Sequence, residues 1–344
     1  MSLYFQNYNE GEIPMKKLLA LILLLSMLLP FMAFAAEENS HYPVVVTDHA
    51  GREVTIEEEP EKLVSGYYIS SSLLIALDLD EKMVGIEAKA NKRAIYALAA
   101  PELIDLPNVG TAKEFDLEGC VALEPDLVIL PLKLKSAAAT LEYLGIDVLL
   151  VNPENQGLLN SMIDMIAVAT NTEEKAEALL GFTAAQEAYL ASALAGANAP
   201  SVYLAGNSSM LSTAGNAMYQ SDMIRLAGGV NVAAAIEDAY WVEIDYEQLL
   251  TWNPEYIILA SDASYTVEDV LNDPILADCA AVANGHVYQM PNKAEAWDSP
   301  VPSGILGALW LANVLHADLL TDDDCAAKMD EYYETFYNFA YSEN

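Results

Sequence analysis

The stretch FDLEGCVALEPDLVIL (Phe115–Leu130) returns later in the chain as IDYEQLLTWNPEYIIL (Ile244–Leu259). The two copies agree at Asp116 and Asp245, Glu118 and Glu247, Pro125 and Pro254, Ile129 and Ile258, and Leu130 and Leu259. Most other positions keep apolar facing apolar. An Asp ahead of an apolar-periodic run is a helix N-cap, and an acid in the first turn suits the positive end of the helix dipole. Proline closes the run, and a block of branched apolar residues follows as a buried strand. The unit is helix, turn, strand, and the chain spells it twice.

Elements on either side extend the scheme. In the first half, EKLVSGYY (Glu61–Tyr68) predicts a strand running into a small-residue loop. SSSLLIALDL (Ser70–Leu79) predicts a helix, and MVGIEA (Met83–Ala88) a strand. After the repeated unit, AAATLEYLG predicts a helix ended by Gly145, and IDVLLVNP a strand. The second half offers SVYLAG (Ser201–Gly206) as a strand, STAGNAMYQ as a loop and SDMIRLAGG as a helix. HVYQMP (His286–Pro291) is then a last strand and SPVPSGILGALWLANVL a long apolar helix. Apolar strands alternating with amphipathic helices predict an α/β protein with mainly parallel sheets. Between the halves, Asn171-Thr172-Glu173-Glu174 starts a helix that runs to about Ala195. That is about 36 Å at the usual rise, a strut rather than a flexible linker. The expected organisation is an N-terminal lobe over 36–170, a connecting helix over 171–197, a C-terminal lobe over 198–320 and a helical tail over 321–344.

The chain has 344 residues, enough for two cores. It carries 51 acidic and 15 basic residues, a formal net charge of −36. That balance opposes nucleic acid and anionic lipid as partners. Met15-Lys16-Lys17 and the apolar Leu18–Pro30 form a secretion signal over 15–35, with cleavage expected before Ala36. Residues 1–14 then belong to an extra leader or a misassigned start. No cysteine stands at the cleavage point, so the expected product is a free periplasmic or extracellular protein without a lipoprotein anchor. Cys120, Cys279 and Cys325 show no metal-ligand spacing. Cys120 falls on the apolar face of a helix, as a buried thiol would.

Two similar α/β lobes, a long connecting helix and a secretion signal resemble the helix-linked (class III) periplasmic binding proteins of ABC importers for iron-siderophores, haem and cobalamin. The segments NVGTAKEFDLEGCVALEPDLVIL, LEYLGIDVLLVNP, LSTAGNAMYQSDMIRLAGGVNV and YWVEIDYEQLLTWNPEYIIL carry the likeness in order. The resemblance implies two Rossmann-like lobes with a ligand cleft between them. It implies a monomeric carrier, not an enzyme, that captures a chelated metal, foremost a ferric siderophore, with haem or a corrinoid as alternatives. It also implies delivery to a dimeric permease with its ATPase. Glu118 and Glu247 match the family's two exposed docking glutamates, one for each half of the permease. Against that, a first-turn glutamate is favoured by about 0.3–1 kcal/mol with no partner at all.

Loops after strand C-termini form the binding edge of open α/β sheets. On that rule the first lobe offers Tyr67 and Tyr68 for stacking or iron, and Ser70, Ser71 and Ser72 for carboxylates or simple capping. It also offers Arg93 and Tyr96, the guanidinium for an anionic ligand or a structural ion pair. The second lobe offers Ser212, Thr213, Met218, Tyr219, Tyr240 and Trp241, and a loop wall at Trp297 and Asp298. His41, His49, His286 and His316 fall outside the predicted cleft loops, which leaves tyrosine-ligated haem, a wrapped iron or a corrinoid. The competing class is a secreted two-lobed enzyme. No G-x-S-x-G, H-E-x-x-H or P-loop is present, and Glu295 with Asp298 is the one carboxylate pair it could use. A receptor that senses rather than imports fits the same residues.

Overall fold

The computed structural model describes residues 41–237 and 241–342. Of the leading segment only 41–43 are described, where His41 and Tyr42 meet edge to face at 4.7 Å. The secretion signal and the leader lie outside the described residues, as does Tyr240. Among the described residues no helix is long and apolar enough to cross a membrane.

A hairpin of β1 (Val44–Thr47) and β2 (Glu53–Ile56) precedes the first lobe. That lobe is a four-stranded all-parallel sheet in the order β4 (Met83–Ile86), β3 (Leu63–Ser65), β5 (Leu127–Pro131), β6 (Asp147–Val151). Its inner strands are apolar at nearly every position, as a sheet covered on both faces requires. Val64, Val128, Leu130, Val148 and Leu150 pack there with Cys120 and Leu141. Burial lifts the Cys120 thiol to about 11.

Helices α1 (Tyr68–Ala76), α2 (Ala94–Ala99), α3 (Leu117–Ala122) and α4 (Lys135–Tyr143) complete this lobe. Next, α5 (Gln156–Thr170) turns at Asn171, which holds a left-handed φ of 54°, into α6 (Glu173–Ala193). The connecting helix thus has 21 residues and ends two short of the predicted Ala195.

The second lobe is a mixed six-stranded sheet. Its path runs β10 (Val242–Glu243), β8 (Ser212–Thr213), β7 (Ser201–Ala205), β11 (Tyr256–Leu259), β12 (Val287–Gln289), with β9 (Val230–Asn231) also parallel to β7. β8 alone runs against the others, pairing antiparallel with both β7 and β10. Its helices are α7 (Tyr219–Leu226), α8 (Tyr246–Trp252), α9 (Val267–Leu271), α10 (Ala280–Ala283) and α11 (Ile305–Leu315). The predicted loop at STAGNAMYQ therefore contains a short strand and a helix start. The predicted long apolar helix begins only at Ile305, after a 3-10 turn at Pro302–Gly304. Pro300 and Pro302 each lack an amide hydrogen and restrict the residue before them.

The twin units match element for element, each a capped helix followed by a strand. Asp116 accepts from the Gly119 amide at 2.9 Å, and Asp245 from the Gln248 amide at 2.8 Å. Each unit turns on a left-handed residue, Glu124 (φ 50°) or Asn253 (φ 44°), just before a buried proline. Each then feeds an inner strand of its sheet, β5 or β11.

The tail adds a second bridge. Helix α12 (Asp322–Tyr337) returns to the first lobe, where the Tyr337 hydroxyl meets the Ser72 hydroxyl at 2.9 Å. The lobes are thus tied by α12 as well as by α6.

Candidate functional site

The C-terminal ends of β3, β5 and β6 open onto one cavity of about 210 Å³, lined by Tyr67, Pro131, Leu132, Lys133, Val151, Asn152 and Glu154. The turn that carries Asn152 and Glu154 is held from three sides. The Asn152 amide donates to His49 Nδ1 at 2.7 Å, the Glu154 amide to the Asn152 carbonyl at 2.9 Å, and the Tyr219 amide to the Glu154 carbonyl at 2.8 Å. The last of these crosses from the second lobe. Because His49 Nδ1 accepts, its proton sits on Nε2, 2.8 Å from Ser161 Oγ. Burial keeps the His49 imidazole below its usual pKa, against the pull of Asp48.

Electrostatically the cavity has two poles. Burial raises the Glu154 carboxyl above the usual carboxylate range, and Lys133 draws it back. Neither side chain forms an ion pair with any described residue. Burial also raises the Tyr67 phenol, with Tyr68 and Glu154 adding to it, so Tyr67 presents a neutral hydroxyl.

Tyr67 and Tyr68 meet edge to face at 5.3 Å. The Arg93 guanidinium lies over the Tyr68 ring, 3.9 Å from its centre, a cation–π contact. Arg93 Nε is 3.6 Å from Glu87 Oε1 and makes no hydrogen bond. A smaller space of about 100 Å³ opens between the lobes here, with Tyr68, Lys92 and Arg93 facing Asp262, Asn292 and Glu295. Across the cleft, Trp241 lies over Gly206, where an added Cβ would stand 3.0 Å from the indole. It remains 38% exposed.

The chain matches the periplasmic binding protein family over residues 63–294. It belongs to that family. The molybdate-binding protein MolA of Haemophilus influenzae is 27% identical, over 93% of this chain and 97% of its own. The structure of MolA bound to molybdate, described as belonging to an ABC transporter, matches with a TM-score of 0.76 at 25% identity. It covers 87% of this chain and 99% of that one. A periplasmic solute-binding protein of Veillonella parvula matches with a TM-score of 0.74 at 26% identity, over 86% and 93% of the two chains. The vitamin B12-binding protein of Salmonella typhimurium is 28% identical over 49% of this chain and 64% of its own. This binding protein is therefore a two-lobed, helix-linked member of a family made of solute-binding proteins.

Within the binding protein, several residues predicted for the ligand turn inward. Ser70, Ser71 and Ser72 are buried. Ser71 donates to Glu87 Oε2 at 2.5 Å, Ser72 to Glu295 Oε1 at 2.5 Å, and Ser70 to the Tyr67 carbonyl at 2.8 Å. Tyr96 is buried and donates to Glu87 Oε1 at 2.8 Å. Thr213 donates to the Leu204 carbonyl at 2.8 Å, and Ser212 and Met218 are buried beside it in sequence. Tyr219 is buried too, and its hydroxyl occupies the space a Cβ on Gly304 would need.

The loop wall at Trp297 is core instead. The indole is 1% exposed and donates to the Tyr333 hydroxyl at 2.9 Å, because α12 folds over it. Asp298 is buried, accepts from the Ser261 hydroxyl, and has its carboxyl raised by burial. Glu295 is buried as well and accepts from Ser72 and Ser303 at 2.5 Å each. The two acids thus serve separate hydroxyl networks. Among the described residues, Tyr67, Tyr68, Arg93 and Trp241 are the predicted ones left half-buried or exposed at the cleft, while the buried Ser72 and Tyr96 line only the smaller space between the lobes. Lys133, Asn152 and Glu154 escaped the sequence analysis, although LVILPLK and VNPE follow strands just as SGYY does. His49, set aside with the other histidines, holds the Asn152 turn.

Glu118 and Glu247 are both exposed, two residues past their capping aspartates. Each stands at the helix end that adjoins the cleft edge of its sheet. Glu124 and Glu255 lie at the opposite end, engaged with Lys62 at 3.5 Å and with the Ser201 amide at 2.8 Å.

Proposed function

We propose that the protein works outside the cytoplasm, capturing a small metal-containing solute between its lobes and passing it to the permease of an ABC importer. The observation that carries this reading is the cavity of about 210 Å³ at the strand ends of the first lobe. Pockets for drug-sized ligands span about 300–1,000 Å³, so a space this small suits an oxyanion or a compact metal complex. Similarity to MolA over nearly the whole of both chains supports the same size class. An intact ferric siderophore, haem or corrinoid is the second reading, favoured by the half-buried Tyr67 and Tyr68 and by the exposed Trp241. It requires the lobes to part. Glu118 and Glu247 are the permease contacts in both readings, supported by their exposure and shared edge.

Titration of intrinsic fluorescence tests the reading. Molybdate, nickel(II)–histidine, ferric citrate, a ferric hydroxamate, haemin and cyanocobalamin form the panel. Saturable one-to-one binding by one of the first three is expected. Binding by the last three alone would replace the small-solute reading with the second one. No binding across the panel would overturn both.

A further inference from the structure

Lys133 and Glu154 are close enough for the lysine to bias the acidity of the carboxyl, yet they do not pair. They face one cavity together with the neutral Tyr67 hydroxyl and Asn152. The Glu154 turn cannot easily swing to meet the lysine. It is fixed by His49, by its own turn hydrogen bond and by the Tyr219 amide of the second lobe. Lys133 is exposed and Glu154 half-buried, so the two opposite charges stand hydrated on one cavity wall, where a ligand of matching polarity can meet both at once. A fully deprotonated oxyanion satisfies Lys133 but meets repulsion at Glu154. A bare cation does the reverse.

We propose that Lys133 and Glu154 make this cleft selective for an amphoteric solute. Such a solute sets an anionic or acceptor group against Lys133 and a cationic or donor group against Glu154. A metal ion held by an amino acid is the nearest simple example. This inference rests on the small-solute reading and narrows it, because it assigns simple oxyanions a weaker place in the cleft.

The test uses the mature protein, with molybdate and nickel(II)–histidine as probes by calorimetry at neutral pH. The unmodified protein should bind nickel(II)–histidine at least tenfold more tightly than molybdate. Glu154→Gln should cut affinity for the nickel complex by about tenfold and raise that for molybdate, reversing the order. Lys133→Met should weaken both. Circular dichroism and melting of each variant establish that it is folded, and both sites lie at the surface of the cavity. If both substitutions leave both affinities within twofold while the probes still bind, the inference falls and the small-solute reading stands. Tighter molybdate binding by the unmodified protein, unchanged in Glu154→Gln, also overturns it. If neither probe binds any variant but ferric hydroxamate, haemin or cobalamin does, the inference falls together with the small-solute reading.

Discussion

The two walls of the cleft use acidic residues to opposite ends. On the first lobe Glu154 is half-buried, faces a cavity and shares it with an unpaired Lys133. On the second lobe Glu295 and Asp298 are buried and saturated by serine hydroxyls from Ser72, Ser303 and Ser261. Polar groups that face solvent can exchange water for a ligand, whereas polar groups satisfied in the interior fix shape. On the proposed reading the first wall discriminates, and the buried acids of the second hold its shape.

That contrast is most directly broken at Trp297. If the second wall is scaffold, Trp297→Ala should cost about 3–5 kcal/mol of stability, read from chemical unfolding. The fraction still folded should bind ligand as before. Lost affinity with stability unchanged would put the indole back in the cleft wall.

The rim that both walls share comes next. Glu118→Gln with Glu247→Gln should leave affinity and melting unchanged but cut uptake. Neutralising one side of a desolvated charge pair commonly costs about 2–5 kcal/mol. Each single substitution should do less harm than the double. Glu124→Gln and Glu255→Gln, at the far ends of the units, are the controls. Equal harm from them would reduce the effect to general acidity.

Within the scaffold, Glu295→Ala leaves the Ser72 and Ser303 hydroxyls without their acceptor and should cost about 1–3 kcal/mol. Glu295→Gln should differ in its pH response. Burial holds this carboxyl above its usual range, with the serines opposing. As pH rises past about 4.3 the unfolded chain gives up the proton before the folded one does. The stabilising contribution is therefore full below that point and lost as pH climbs through the raised folded value. Unfolding midpoints at pH 4 and 8 should lie closer together in Glu295→Gln than in the parent. An unchanged gap would assign the slope to other groups.

His49 gives the smallest effect and the opposite sign. Its folded pKa is lowered, so its contribution is present above about 6.5 and declines as pH falls below that value. His49→Gln should flatten stability between pH 7 and 5 by under about 1 kcal/mol. Because the ring holds the Asn152 turn, it should also weaken ligand binding at pH 7.

The repeated unit made the fold legible. Asp116 and Asp245 cap, Pro125 and Pro254 stop, and the strands behind them are too apolar to lie anywhere but inside a sheet. The site was legible only in part, because burial is decided by elements distant in sequence. Nothing near Trp297 announces that α12 will cover it. Nothing near Ser72 announces a carboxylate arriving from Glu295, 223 residues away. By contrast, Lys133 and Glu154 were within reach of the rule that singled out Tyr67, since each follows a strand of the same sheet.

The contact between Ser72 and Tyr337 spans 265 residues. Closing so long a loop is entropically slow, and non-local contacts form after local ones. Each lobe can assemble its sheet from neighbouring segments, but α1 acquires its last partners only when the final helix is available. For a chain exported from its N-terminus, the serine face of α1 emerges first and waits longest. The clasp between the lobes therefore cannot form until the final helix is available, and a chain cut short before Tyr337 would leave Ser72 without its partner on that helix.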